Sequence, residues 1–156
     1  MTELEAVWER HSVRSYQNKK IEAEKAAQLH ELIARCNQEG NLHLQLLEDA
    51  GGTFSRLLNK VMKLSSAPAV IACIGPDDDT LDERIGYYGQ KIVLFAQTLG
   101  LNTCWAGTFN AKGVPADRTP GDRLSIVIAI GYGVDNGRER KSKIAADVVR
   151  GTLDGK

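Results

Sequence analysis

Two short cationic runs lie near opposite ends of this 156-residue sequence, Arg10-His11-Ser12-Val13-Arg14 and Arg138-Glu139-Arg140-Lys141-Ser142-Lys143. In an extended chain alternate side chains point the same way. Arg10, Ser12 and Arg14 would then share one face, and Lys141 and Lys143 another. Cations and a hydroxyl converging on one face suit a phosphate monoester, which carries roughly two negative charges and several acceptor oxygens. The competing reading is solvated surface charge. It covers Arg138 and Arg140, which we expect in a solvated tail. It fits the first run less well, because that run lies between an apolar helix face and the apolar Val13 and Tyr16.

A second constellation is Gly100-Leu101-Asn102-Thr103-Cys104-Trp105-Ala106-Gly107. Small residues and a large aromatic follow a helix end there, so a flat ring could lie against exposed main-chain N–H groups. Ordinary packing accounts for the same pattern. Gly131-Tyr132-Gly133 lacks the strand, GxGxxG and helix context of a dinucleotide site. Cys36, Cys73 and Cys104 are far apart in apolar surroundings, unlike a disulfide framework or paired zinc ligands. Cys104 has no base near it in sequence, so it is read as a packing residue rather than a nucleophile. His11, His30 and His43 show no HExxH or triad spacing. The residues therefore assign no catalytic dyad and no metal site.

Composition narrows the classes. Lys plus Arg and Asp plus Glu are each 20, giving zero formal charge. Nothing draws the chain as a whole to nucleic acid or to an anionic membrane. The longest strongly apolar stretch, residues 67–74, is far short of the roughly 20 residues that span a bilayer. Residues 1–10 are acidic and amphipathic, unlike a signal peptide. The expectation is a cytoplasmic protein with no membrane segment, and with 42% hydrophobic residues a single domain over 1–156.

The elements that must position these residues follow from periodicity. Leu4, Val7, Trp8 and His11 share one face and predict a short first helix. Ala26, Leu29, Leu32, Ile33 and Cys36 stripe a second helix over 21–36, with Gly40 as its stop. Residues 42–46 alternate as a half-exposed strand. Phe54, Leu57, Leu58, Val61 and Met62 mark a third helix, and 68–74 is a continuous apolar strand. Thr80 caps the longest helix, whose buried face holds Ile92, Phe95, Ala96 and Leu99 before Gly100 ends it. Gly86 and Gly89 inside that helix cost about 1 kcal/mol each against Ala and suggest close approach of another backbone, a ligand or a partner chain, with packing against a second helix the first expectation. Strands are expected at 102–109 and 124–130.

Three ordered segments carry a resemblance. Arg10 to Tyr16 (RHSVRSY) looks like the N-terminal signature of the nitroreductase family, Arg-x-Ser-x-Arg/Lys-x-aromatic after a first helix. Gly86 to Gly107 (GYYGQKIVLFAQTLGLNTCWAG) resembles the family's central helix and following strand, and Ile128 to Lys143 its closing strand and basic tail. The resemblance implies an α+β fold with a central, mainly antiparallel sheet wrapped by helices. It implies an intertwined homodimer with FMN at the dimer interface. Arg10, His11, Ser12 and Arg14 match the positions that hold the FMN phosphate and ribityl chain, with Lys141 and Lys143 reaching the same phosphate. Trp105, Ala106 and Gly107 match the segment beside the flavin ring. The implied activity passes hydride from NAD(P)H to an electrophilic small molecule such as a nitroaromatic or quinone. The chain departs from the family between the second helix and first strand, where a Pro-Ser-x-x-Asn-x-Gln-Pro-Trp-like stretch is replaced by Ala34 to Gly40. A non-catalytic flavin or nucleotide binder of the same fold, or a small protein-interaction domain, are the alternatives.

Overall fold

The computed structural model describes residues 1–49, 53–54, 67–139 and 143–149. Its elements are α1 (Glu3–Glu9), α2 (Ala23–Gly40), β1 (Gln45–Leu47), β2 (Ala69–Pro76), α3 (Leu81–Thr98), β3 (Asn102–Ala106), a 3-10 turn (Ala111–Gly113), β4 (Asp122–Gly131) and α4 (Ala145–Val148). The four strands form one sheet in the order β1-β2-β4-β3, and every neighbouring pair is antiparallel. The expected third helix falls, apart from Phe54, outside the described residues.

β2 from Ala69 to Ile74 and β4 from Ile126 to Ile130 are continuously apolar because both faces of the sheet are covered there. From β2, Ala69, Ile71 and Cys73 join one core, while Val70, Ala72 and Ile74 join the other. β4 divides likewise, with Ile128 and Ile130 on the first side and Val127 and Ala129 on the second. Helices α2 and α3 close the first core with Leu29, Leu32, Ile33, Cys36, Ile92, Val93 and Ala96. The second core contains no helix of comparable length among the described residues. Val13, Tyr16, Phe54, Cys104, Ala106 and Val114 fill it, so the segment that carries the first basic run is anchored directly on the sheet.

Several local expectations are corrected. Helix α2 ends not with a left-handed Gly40 but with Asn41 at φ 47°. Gly40 is glycine for another reason: a Cβ there would lie 2.5 Å from the Tyr88 ring on α3. The Thr80 hydroxyl does not cap α3. The Asp78 carboxylate does that work, accepting from the Thr80 N–H at 2.9 Å and from its hydroxyl at 2.8 Å. These bonds hold the Asp78 carboxyl below the usual carboxylate range. Among the described residues Gly89 meets no second helix, since a Cβ there would run into the Trp105 indole, and none of them lies within 4 Å of the corresponding point on Gly86. Gly100 does end the helix as expected, at φ +74°. Thr2 and Glu5 form a capping box on α1. Ala6 is the only residue α1 buries, whereas Leu4 and Trp8 are 72% and 73% exposed. The apolar stripe that predicts α1 therefore faces outward from this chain.

Candidate cofactor-binding site

Residues 10–17 run as an extended segment across the edges of β3 and β4. Val13 and Tyr16 are apolar anchors buried in the second core. The main chain is stitched on both sides: the Val13 N–H donates to the Thr103 carbonyl at 3.1 Å, and the Gln17 N–H to the Tyr132 carbonyl at 2.8 Å. Ser12 bridges to Thr103 and Tyr16 to Gly133. The Tyr16 hydroxyl donates to the Ala129 carbonyl at 3.3 Å, and burial keeps it un-ionised by raising its pKa. These contacts leave Arg10, Ser12 and Arg14 at the surface of the segment, beside the chain that leaves β4.

That departing chain turns back immediately. The Val134 N–H donates to the Ser15 carbonyl at 2.9 Å, and the Asp135 carboxylate accepts from the Gly137 N–H at 2.8 Å. Gly137 sits at φ +80°, and a Cβ on it would lie 2.9 Å from His11 Cβ and 3.0 Å from the Ser12 carbonyl oxygen. Glycine is needed there both for its conformation and for the close approach. Between the two segments lies a cavity of about 530 Å³ lined by Arg10, His11, Ser12, Arg14, Ser15, Asp135, Gly137 and Arg138.

Its walls hold polar groups without protein partners. Arg10 Nη1 and His11 Nδ1 are shielded from solvent and have no hydrogen-bond partner among the described residues. A buried polar group left unpaired costs about 1–3 kcal/mol, more when charged. An anion in the cavity would remove that cost. Beneath the segment lies Cys104, which is 2% exposed. Burial raises its thiol pKa, and the opposing pull of Arg14, of a hydrogen bond with Ser12 and of Arg10 does not reverse this. A thiol held protonated in this way is a poor nucleophile.

Arg10, His11, Ser12 and Arg14 are thus brought together as expected. Lys143 is exposed and lies apart from the cavity lining, and Lys141 lies outside the described residues. Arg138, expected in a solvated tail, lines the cavity. The ring segment is not part of its wall. The Trp105 side chain turns toward α3, packs over Gly89 and donates from Nε1 to Gln90 Oε1 at 3.3 Å. Ala106 is buried in the second core, and Gly107 is exposed with nothing within 4 Å of a Cβ placed on it. Sequence reasoning missed Ser15, Asp135 and Gly137. Asp135-Asn136-Gly137 is a turn signal that could have shown the chain doubling back beside residue 11.

A second polar group lies elsewhere, at the β1 edge. His43 Nδ1 is 2.8 Å from Asp122 Oδ2, and Asp122 also accepts from the Thr119 hydroxyl at 2.6 Å and the Thr119 N–H at 3.1 Å. Gln45 donates from Nε2 to the Asp117 carbonyl at 2.6 Å and accepts from the Asp117 N–H at 2.9 Å. Burial acts to raise the pKa of the Asp122 carboxyl, but the bonds from Thr119 and His43 outweigh it and hold the carboxyl below its usual range.

Sheet order, two-sided core and a cavity that gathers Arg10, Arg14 and Arg138 together define an α+β protein whose residues 10–15 meet residues 135–138 at one polar site. The family model described as "Putative TM nitroreductase" matches residues 3–155. The chain belongs to that nitroreductase family. Solved structures agree on the fold. A nitroreductase family protein from Clostridium difficile 630 superposes with a TM-score of 0.71 at 18% identity, covering 100% of both chains. A protein from Exiguobacterium sibiricum, described as a "putative nitroreductase in complex with FMN", gives 0.72 at 17% identity over 97% of this chain and 98% of that one. The FMN-dependent nitroreductase NfnB from Mycobacterium smegmatis, in complex with NADPH, gives 0.70 at 16% identity over 96% and 97%. No curated protein matches the chain. No helix among the described residues is long and apolar enough to cross a membrane.

Proposed function

We propose that this chain is a cytoplasmic FMN-dependent oxidoreductase that passes hydride from NAD(P)H to an electrophilic small molecule such as a nitroaromatic or quinone. The observation that carries the reading is the unpartnered Arg10 Nη1 and His11 Nδ1 in a cavity shared with Ser12 and Arg14. Donors of that kind fit the phosphate of FMN. Arg10 and Arg14 would supply guanidinium forks and Ser12 a hydroxyl, and Ser15, on the same cavity wall, would be free to meet a ribityl hydroxyl. When bound, FMN supplies the hydride chemistry itself, so the protein needs position and electrostatics rather than a catalytic acid–base pair.

In this reading the cavity takes the phosphate end of FMN, and the ring is held elsewhere. Gly107, with open space around it, and the adjoining main chain of Trp105 and Ala106 are the proposed ring contacts within this chain. Lys141 and Lys143 are proposed to approach the phosphate in the assembled protein. A homodimer supplies the remainder: Leu4, Val7 and Trp8 on α1, with Tyr87 and the open Gly86 on α3, present apolar surface that a second copy would cover.

Purified protein should be yellow, release FMN on denaturation and run as a dimer by light scattering. NADH or NADPH added without oxygen should bleach the flavin, and a nitroaromatic or quinone should restore its colour. Colourless protein that takes up no FMN would sink the reading. Bound flavin that neither nicotinamide bleaches would instead make the chain a flavin binder without this activity.

A further inference from the structure

We propose that Arg138 is a phosphate-binding and specificity-determining residue, placed by the Asp135–Gly137 turn as the third guanidinium of the cavity. The inference rests on the FMN reading and adds to it a residue that lies upstream of the basic pair the resemblance selects. Three observations carry it. Arg138 lines the same cavity as Arg10 and Arg14, although it belongs to a segment more than a hundred residues away in sequence. Gly137, the residue before it, is fixed against His11 and Ser12 at distances that admit no side chain. The turn is closed by its own carboxylate, with Asp135 Oδ1 accepting from the Gly137 N–H at 2.8 Å.

The geometry gives Asp135 two opposing effects. Its charge works against an anion in the cavity, whereas its hydrogen bond holds the turn that presents Arg138. If the hydrogen bond were the lesser effect, an acidic residue here would only weaken the site. Asparagine keeps the accepting oxygen and removes the charge, while alanine removes both, so the two roles can be separated.

The test is the affinity of the purified full-length chain for FMN and for riboflavin, each followed by quenching of flavin fluorescence. Arg138→Ala should weaken FMN about tenfold and leave riboflavin unchanged, because only FMN carries the phosphate. Asp135→Ala should weaken FMN selectively, and Asp135→Asn should restore wild-type affinity or better. Arg14→Ala is the comparator. If it loses the preference for FMN while Arg138→Ala keeps it, Arg138 is tail charge; the proposal falls and the cofactor reading stands. Equal weakening of both flavins by Arg138→Ala would mean a structural role and also overturn the proposal. A wild-type chain that binds neither flavin overturns the proposal and the cofactor reading together.

Discussion

The cavity between residues 10–15 and 134–138 and the cluster at the β1 edge are both dense in polar side chains, but they balance their hydrogen bonds differently. At the β1 edge His43, Gln45, Asp117, Thr119 and Asp122 satisfy one another through bonds of 2.6 to 3.1 Å. In the cavity Arg10 and His11 each keep a shielded nitrogen with no partner among the described residues. A self-satisfied cluster is a clasp between a loop and a strand. A cluster with unmet donors has given up stability that a ligand can return. Counting polar residues would rank the two regions alike; following each donor to its acceptor separates them.

The largest effect that sharpens this contrast is on ligand affinity. Arg10→Ala or Arg14→Ala should cost about 1.5–3 kcal/mol in FMN binding, or roughly ten- to a hundredfold. Calorimetric titration should show riboflavin affinity little changed, so that the preference for the phosphorylated flavin is lost. At the clasp the roles reverse. Asp122→Ala should lower unfolding stability by about 1–2 kcal/mol in urea titrations, because it removes the acceptor of Thr119 and His43, while FMN affinity stays within twofold. An affinity loss as large as that of Arg10→Ala would erase the distinction.

A smaller effect concerns acid. The Asp122 carboxyl titrates below its ordinary value when folded, so its contribution is complete above the unfolded pKa and is lost as pH falls through the folded one. Thermal stability should therefore decline as pH drops below about 4, and Asp122→Asn should flatten that decline. Identical profiles for the two proteins would mean that the clasp does not couple to protons. The smallest expected change is in the flavin-free protein. Arg10→Ala removes a buried unpaired donor there, so its stability should match wild type within about 0.5 kcal/mol or exceed it.

The parts of this fold that were legible in sequence are those whose causes are local. The continuous apolar runs at 69–74 and 124–130 could be read as strands because burial on both sheet faces leaves no polar alternation. Gly100 could be read as a helix end because its conformation is its only requirement. Gly89 and Gly40 were opaque for the opposite reason: each makes room for a ring that arrives from another element, Trp105 in one case and Tyr88 in the other. The outward direction of the α1 face was not legible, because a 3.6-residue stripe shows that a helix has an apolar side, not whether that side meets its own chain. In the site, Arg10 to Arg14 were legible from charge and spacing. Arg138 reads as tail charge when its basic neighbours are weighed without the Asp135-Asn136-Gly137 turn signal that precedes them.

The bond from Gln17 Nε2 to the Gly133 carbonyl closes a loop of 116 residues, and that from Tyr16 to Ala129 one of 113. Closing loops of that length costs chain entropy before any contact repays it. During synthesis the first wall of the cavity leaves the ribosome long before the second wall has been translated. A chain stalled just after β4 would lack the residues that form the cavity's second wall. The cavity therefore takes shape only once residues 135–138 have joined residues 10–15, and its formation reports that the strands between them are in place.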